Sequence, residues 1–232
     1  ATLDIVLLPK FDKETIQSGE CLKAVEKCDA LVHIVRAFED DAVFHVDGSI
    51  NPLRDIENVF AELILSDLIL IEKRLERIEK EAKVKGDPKI LRERDILVQM
   101  KTTLDQNQPL MKFELNPDDR KLMSTYQFLT RRPLIIVLNV NDDKMADQSL
   151  LKTIEEKYRD DGVRVMQISA KIEAEISSLS PEERGAFLQD LKIAEPALNI
   201  LSRLCFEALG LISFFTVGED EVRQWTTRRQ ST

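Results

Sequence analysis

The stretch RPLIIVLNVNDDKM, residues 132–145, joins a short apolar run to a polar loop. The apolar residues from Leu134 to Leu138 predict a strand buried on both faces of a parallel sheet. Asn139-Val140-Asn141-Asp142 follows directly, and ligands of open α/β sheets bind beyond the carboxyl ends of the strands. An Asn-Lys-x-Asp sequence in such a loop contacts guanine in many nucleotide-binding proteins, and here Val140 replaces the lysine. The stretch therefore predicts an α/β fold with a base-contacting loop.

Strand-like segments recur along the chain and alternate with helical patterns, which is typical of α/β proteins. A helix is predicted over 15–28, and further strands are predicted at four segments, 2–8, 30–38, 163–169 and 211–218. The segment 30–38 is almost continuously apolar, as expected of a buried parallel strand. His33 lies within it, so we expect a core histidine whose hydrogen bonds are satisfied.

A helical insertion separates the strand at 30–38 from the strand after Arg132. It begins at Asn51-Pro52, an N-cap followed by a proline in the first helical position. Its apolar residues follow a heptad pattern, Leu68, Ile71, Leu75, Ile78 and Ala82. The sequence Lys85-Gly86-Asp87-Pro88 ends this helix, and a second helix is predicted over 89–106. The two helices predict an antiparallel coiled-coil arm, which either is a solvated structural element or docks a large partner.

These patterns divide the chain into four predicted segments. Residues 1–50 and 132–218 form the two parts of a nucleotide-binding core, 51–131 form the helical coiled-coil insertion, and 219–232 form a polar linker.

Composition excludes several classes of protein. The net charge of −9 at pH 7 disfavours nucleic-acid binding through overall charge, so no direct DNA binding is expected. The three cysteines, Cys21, Cys28 and Cys205, form no CxxC pair, which favours reduced thiols in a cytoplasmic protein over a zinc site. No apolar run reaches the roughly 18 residues that span a membrane, so no membrane partner is expected.

A second polar loop supports the nucleotide hypothesis. Ser169-Ala170-Lys171 follows the predicted strand at 163–169 and matches the loop whose backbone closes over the purine in Ras-like nucleotide-binding proteins. An Asp carboxylate accepts from two guanine N–H groups, whereas adenine offers a ring-nitrogen acceptor and an amine donor. Asp142 therefore favours guanine, and the short side chain of Val140 weakens that preference. Alternatively, Asn139 is only a turn residue and Ser169 only a helix cap.

Long motifs in a fixed order give the chain its resemblance to a known family: CDALVHIVRAFEDD, HVDGSINPLRDIENVFAELILSDL, EKRLERIEKEAK, YQFLTRRPLIIVLNVND, ISAKIEAEI and FLQDLKIAEPALNILSRLCFEALGLISFFTVGEDEVRQWT. From about Asp29 to Thr226 the sequence resembles the YchF/Obg-like ATPases. The resemblance implies a Ras-like P-loop NTPase core with a helical coiled-coil insertion and a C-terminal ubiquitin-like TGS domain. It also implies Mg²⁺ as cofactor, ribosome association, and a preference for ATP over GTP.

The resemblance also implies roles for individual residues of the two loops. Asn139 matches the base-contacting Asn, and Val140 matches the residue whose main chain meets the adenine. Asp142 stands where the family usually has Glu, which leaves the choice between ATP and GTP open. The purine-closing loop is matched by three consecutive residues, Ser169, Ala170 and Lys171.

His45, in AVFHVDG, matches the histidine that the family is thought to use in hydrolysis. Such a histidine would orient or partly deprotonate the attacking water. Without the resemblance, the residue types around His45 favour a turn or partner-contact histidine.

The chain also departs from the family pattern. It has seven glycines and no GxxxxGK motif followed by Ser or Thr, so the phosphate loop is missing. Asp4 aligns with the magnesium-binding Asp of a D-x-x-G motif, but Leu7 stands in place of the glycine. Two explanations stay open: the N-terminal portion is truncated, or it has diverged. The sequence stops where the family enters its TGS domain.

The sequence therefore predicts a nucleotide-binding protein whose parent hydrolyses ATP or GTP to switch its association with the ribosome or a ribosome-bound factor. Because it lacks the phosphate-loop motif, this chain by itself is not expected to hydrolyse nucleotide efficiently. The alternative is a non-catalytic interaction module that docks through the helical arm.

Overall fold

The computed structural model describes residues 3–8, 25, 28–45, 48–82, 87–218 and 221–228. Five strands and seven α-helices lie wholly within these residues, in the order β1 (Leu31–Arg36), α1 (Pro52–Ala82), α2 (Pro88–Asp105), α3 (Pro117–Leu122), β2 (Leu134–Asn139), α4 (Ser149–Lys157), β3 (Arg164–Ile168), α5 (Ala170–Ser178), α6 (Pro181–Asp190), α7 (Ala197–Ala208), β4 (Leu211–Val217) and β5 (Val222–Arg228). The chain divides into two compact units. The sheet unit comprises Ala1–Ile5, Asp29–Asp55 and Pro133–Thr232, and the helical unit comprises Val6–Cys28 and Ile56–Arg132.

A three-stranded parallel sheet in the order β1-β2-β3 forms the centre of the sheet unit. The strands predicted at 30–38, after Arg132 and at 163–169 are therefore confirmed. The expectation that the first of them is buried on both faces is wrong, because Val32 is 42% exposed and Ile34 is 63% exposed. All five apolar residues from Leu134 to Leu138 are buried, as the continuous apolar run of β2 requires. One face of β2 and β3 packs against α7 in a core that contains Ile135, Val137, Met166 and Cys205.

The strand predicted at 2–8 is not present in its described part, residues 3–8. Leu3 packs against the core of the sheet unit, but Ile5 is 66% exposed and Leu7 is 90% exposed. Apolar and β-branched composition does not make a strand unless the backbone groups find a pairing partner. The predicted helix at 15–28 lies outside the described residues, except for Val25 and Cys28.

His33 differs from the expectation of a histidine with satisfied hydrogen bonds. Its Nδ1 atom is buried and has no hydrogen-bond partner. Burial lowers the pKa of His33 to about 4, although the nearby charge of Asp55 acts in the opposite direction. The imidazole is therefore neutral at pH 7.

The helices α1 and α2 share the core of the helical unit. Ile64, Ile71 and Ile78, which are spaced by seven residues, are buried in one cluster with apolar residues of α2. Of the predicted heptad positions, Ile71 and Ile78 are fully buried, whereas Leu68 and Leu75 are partly buried and the side chain of Ala82 lies outside the described part. Ion pairs from Arg74 to Glu93 (2.7 Å) and from Lys101 to Glu72 (3.2 Å) indicate that the two helices run antiparallel.

Asp67 joins α1 to the segment that returns the chain to the sheet. Its carboxylate accepts hydrogen bonds from the backbone N–H groups of Leu129 (2.8 Å) and Thr130 (2.9 Å) and from the Thr130 hydroxyl (2.6 Å). The side chain is fully buried, and burial raises its pKa to about 6 against the opposing effect of these hydrogen bonds.

The predicted strand at 211–218 is present as β4, but it pairs antiparallel with β5 and does not join the parallel sheet. The strand β5 lies within the segment 219–232 that the sequence predicts as a linker. Trp225 stands opposite Phe214, and its Nε1 atom donates to Oγ1 of Thr216 (2.9 Å). Several apolar side chains of this hairpin are exposed, among them Phe215 (63%) and Val217 (76%).

None of the helices in the described part of the chain has the length and apolar character that a membrane span requires.

Candidate functional site

Two polar loops leave neighbouring strands at the same edge of the parallel sheet. Asn139 is the last residue of β2 and pairs with Ile168, the last residue of β3. The N–H of Val140 donates to the carbonyl of Ile168 (2.8 Å), which extends the pairing by one residue. Ser169 then caps α5, because its hydroxyl accepts from the N–H of Ile172 (3.3 Å). The structure thereby brings residues 139–142 and 169–171 together.

Asn139 connects the two loops directly. Its Oδ1 atom accepts from the N–H of Ala170 (2.9 Å), one of the first N–H groups of α5. The Nδ2 group of Asn139 makes no hydrogen bond within the described part of the chain, and it remains able to donate. The side chain thus places an amide donor at the carboxyl edge of the sheet, next to the start of α5.

Asp142 has both carboxylate oxygens in contact with the second loop. The Ser169 hydroxyl donates to Oδ1, and the Lys171 ammonium lies 3.0 Å from Oδ2. These two groups hold the pKa of Asp142 below its usual value. Ser169 is 2% exposed, whereas the side chains of Asp142 and Lys171 are 39% and 74% exposed. A buried hydroxyl therefore supports an accessible ion pair.

Gln167 is a contributor that the sequence does not predict. Its Nε2 atom donates to three carbonyl oxygens of the segment after Asp142, those of Lys144 (3.1 Å), Met145 (3.2 Å) and Asp147 (3.0 Å). These bonds hold the loop after β2 against β3. The only sequence signal for it is a single amide residue within the otherwise apolar run VMQI.

His45 has a specific partner. Its Nε2 atom lies 3.1 Å from Oδ2 of Asp55. The other oxygen of Asp55 accepts from the guanidinium of Arg54 at 3.0 and 2.8 Å. Arg36, the last residue of β1, donates to the carbonyls of Asp40 (3.0 Å) and Val43 (2.8 Å) and so constrains the loop before His45. The sequence identified His45 but neither Asp55 nor Arg36.

The sequence assigns one residue, Asp4, to magnesium. Asp4 is exposed, and the described residues contain no group of three or more His, Cys, Asp or Glu side chains that could hold a metal ion. The assignment of Asp4 as a magnesium residue stays a prediction.

A parallel sheet with polar loops at its carboxyl edge is the arrangement of α/β nucleotide-binding proteins. No protein-family model matches the chain. Ribosome-binding ATPase YchF of Bacillus subtilis is 38% identical over 211 residues, which are 90% of this chain and 57% of that protein. Human Obg-like ATPase 1 is 35% identical over 215 residues, which are 90% of this chain and 54% of that protein. The structure of the Schizosaccharomyces pombe YchF GTPase superimposes with a TM-score of 0.78 at 27% identity, over 91% of this chain and 58% of that chain.

The chain belongs to the YchF/Obg-like ATPase family, as the sequence motifs predicted. It spans a little over half the length of the curated relatives it matches.

Proposed function

We propose that these residues are part of a nucleotide switch that hydrolyses ATP, or GTP, with Mg²⁺ and thereby controls association with the ribosome or a ribosome-bound factor in the cytoplasm. The names of the relatives support this proposal, since they include a ribosome-binding ATPase and a YchF GTPase. The observation that carries it is the junction of the two loops, in which Asn139 meets Ala170 and Asp142 meets Ser169 and Lys171.

The geometry of the loops suits a purine base. The Asn139 Nδ2 group is a donor for a ring-nitrogen acceptor, which both purines possess. The N–H of Val140 is used by Ile168, so the group that Val140 can offer a base is its carbonyl, which accepts from an amine. Adenine carries such an exocyclic amine at the position where guanine carries an oxygen. The Val140 carbonyl therefore favours ATP, and the Asp142 carboxylate favours GTP.

In the proposed hydrolysis, His45 positions or partly deprotonates the water that attacks the γ-phosphate. Asp55 would hold the imidazole through its contact with Nε2 and would stabilise the protonated ring after proton transfer. Asp55 is a positioning residue in this scheme, because it acts through His45.

The helical unit is proposed to be the docking arm, in which α1 and α2 form an antiparallel coiled coil. Its apolar core of spaced isoleucines and its exposed charged residues support this role. The alternative is a non-catalytic interaction module that docks through the helical unit.

Isothermal titration calorimetry of the 232-residue chain with ATP, GTP and ADP in Mg²⁺ buffer tests the proposal. Micromolar binding of a purine nucleotide is the expected result. A chain that binds no nucleotide but still co-sediments with ribosomes would overturn the switch in favour of the interaction module.

A further inference from the structure

The carboxylate that would recognise guanine is engaged by two groups of the protein itself. Ser169 donates to one oxygen of Asp142, and the ammonium of Lys171 lies 3.0 Å from the other. The two donors approach from the same segment, residues 169–171 at the start of α5. An incoming base therefore meets an Asp142–Lys171 pair and not an isolated carboxylate.

This pair has different consequences for the two purines. Guanine presents N1–H and an amino group, and both need a carboxylate acceptor. Adenine presents N1 as an acceptor, together with an amino group that donates. A carboxylate alone matches guanine and repels the N1 lone pair of adenine. A carboxylate that carries an ammonium offers an acceptor and a donor side by side, which is the complement of adenine.

We infer that Lys171 determines the base preference of the proposed site: by pairing with Oδ2 of Asp142 it removes an acceptor that guanine requires and supplies an N–H donor for N1 of adenine. The inference rests on the proposed function and deepens it. It explains how an Asn-x-x-Asp loop can favour adenine even though Asp142 occupies the position that recognises guanine.

The exposure of the two side chains fits this role. Lys171 is 74% exposed and carries three N–H donors, so its contact with Asp142 leaves two for a base or for water. Because an accessible ion pair is screened by solvent, its effect on selectivity is modest. Removing the ammonium should change the ratio of ATP to GTP affinity by about five- to tenfold.

The test compares the ATP and GTP dissociation constants of the full chain with those of Lys171→Met, Lys171→Arg and Lys144→Met. The triphosphate contribution is common to both nucleotides and cancels in the ratio. Lys171→Met should shift the ratio of ATP affinity to GTP affinity about five- to tenfold in favour of GTP. Lys171→Arg keeps a cationic donor and should stay close to wild type. Lys144→Met removes the same charge from a neighbouring exposed lysine and should leave the ratio unchanged.

The outcomes separate this inference from the proposed function. If wild type binds nucleotide and Lys171→Met binds it with the same ratio, the inference fails and the proposed function stands. If wild type binds neither nucleotide, the proposed function fails and the inference falls with it. Carboxyl ¹³C NMR titration of Asp142 provides a second measurement without nucleotide: its pKa should rise in Lys171→Met, and an unchanged titration would show that the pair does not exist in solution.

Discussion

At the scale of single residues, the two ends of the Asn139 amide have different roles. Its amide oxygen is bound by the N–H of Ala170, whereas its amide nitrogen is left to donate. The residue therefore fixes the start of α5 and also serves as a candidate base contact. Its position after a buried strand was predictable from the sequence, because an apolar run ends there. The choice of Ala170 as partner was not, because it depends on the register between β2 and β3.

Asn139→Ala should weaken purine binding roughly tenfold, because the variant loses one donor to the base and the bond to Ala170. The fold should persist, because the N–H of Ala170 is at an exposed helix start and can bind water. Calorimetric titration with ATP measures the change. Asn141→Ala, at an exposed position of the same loop, is the matched control and should bind as wild type does. Equal affinities for Asn139→Ala and wild type would remove Asn139 from the site.

His45→Ala in the full-length protein should lower kcat roughly 10²-fold or more and leave nucleotide affinity nearly unchanged, because general-base assistance acts in the transition state. Asp55→Asn should lower kcat less, since it keeps the shape of the side chain but loses the charge beside Nε2. Single-turnover hydrolysis and calorimetry separate the two effects. Wild-type turnover in His45→Ala would exclude this histidine from the mechanism.

At the scale of secondary-structure elements, the sequence predicts features that depend on neighbouring residues better than features that depend on strand pairing. The strands β1, β2 and β3 and the start of α1 follow from apolar runs and from the Asn51-Pro52 cap, which act within a few neighbouring residues. Two departures, the lack of the predicted strand over residues 3–8 and the presence of strand β5, depend instead on whether a second strand lies alongside. That information is distributed over distant parts of the chain.

Asp67→Ala should destabilise the helical unit by about 2–4 kcal/mol, because two buried N–H groups and a hydroxyl lose their acceptor. Asp95→Ala, on the exposed side of α2, is the control and should change stability by less than about 0.5 kcal/mol. Urea unfolding followed by far-UV circular dichroism measures both. If Asp67→Ala lowers the free energy of unfolding no more than Asp95→Ala does, the turn at 129–130 does not need the Asp67 carboxylate.

At the scale of the whole molecule, the two units should respond to acid with opposite signs. The pKa of His33 is lowered to about 4 in the folded sheet unit, so its stabilising contribution is complete above pH 6.5 and is lost as the pH falls towards 4. The pKa of Asp67 is raised to about 6 in the helical unit, so its contribution is complete below pH 3.8 and is lost as the pH rises through 6.

Lowering the pH from 6.5 to 4.5 should therefore destabilise the sheet unit and stabilise the helical unit, each by about 1–3 kcal/mol. Hydrogen exchange of the β2 and α1 amides, corrected for intrinsic rates, measures the two units separately. His33→Leu should abolish the acid response of β2 and leave that of α1. A wild-type response of the same sign in both units would contradict the prediction.

Replacing Ile56–Arg132 with a flexible Gly-Ser linker should keep nucleotide affinity within about threefold, because all the residues of the candidate site lie in the sheet unit. Co-sedimentation with ribosomes should be lost if the helical unit docks there. Retained co-sedimentation would locate docking elsewhere, and a sheet unit that no longer folds would assign the helical unit a structural role.

The β4–β5 hairpin also gives the molecule an optical probe. Trp225 is the only tryptophan in the chain, and it is 47% exposed beside Phe214. Intrinsic fluorescence excited at the indole therefore reports on this hairpin alone. A blue shift on adding a partner that lacks tryptophan would show that the indole has been removed from water, and the measurement needs no label.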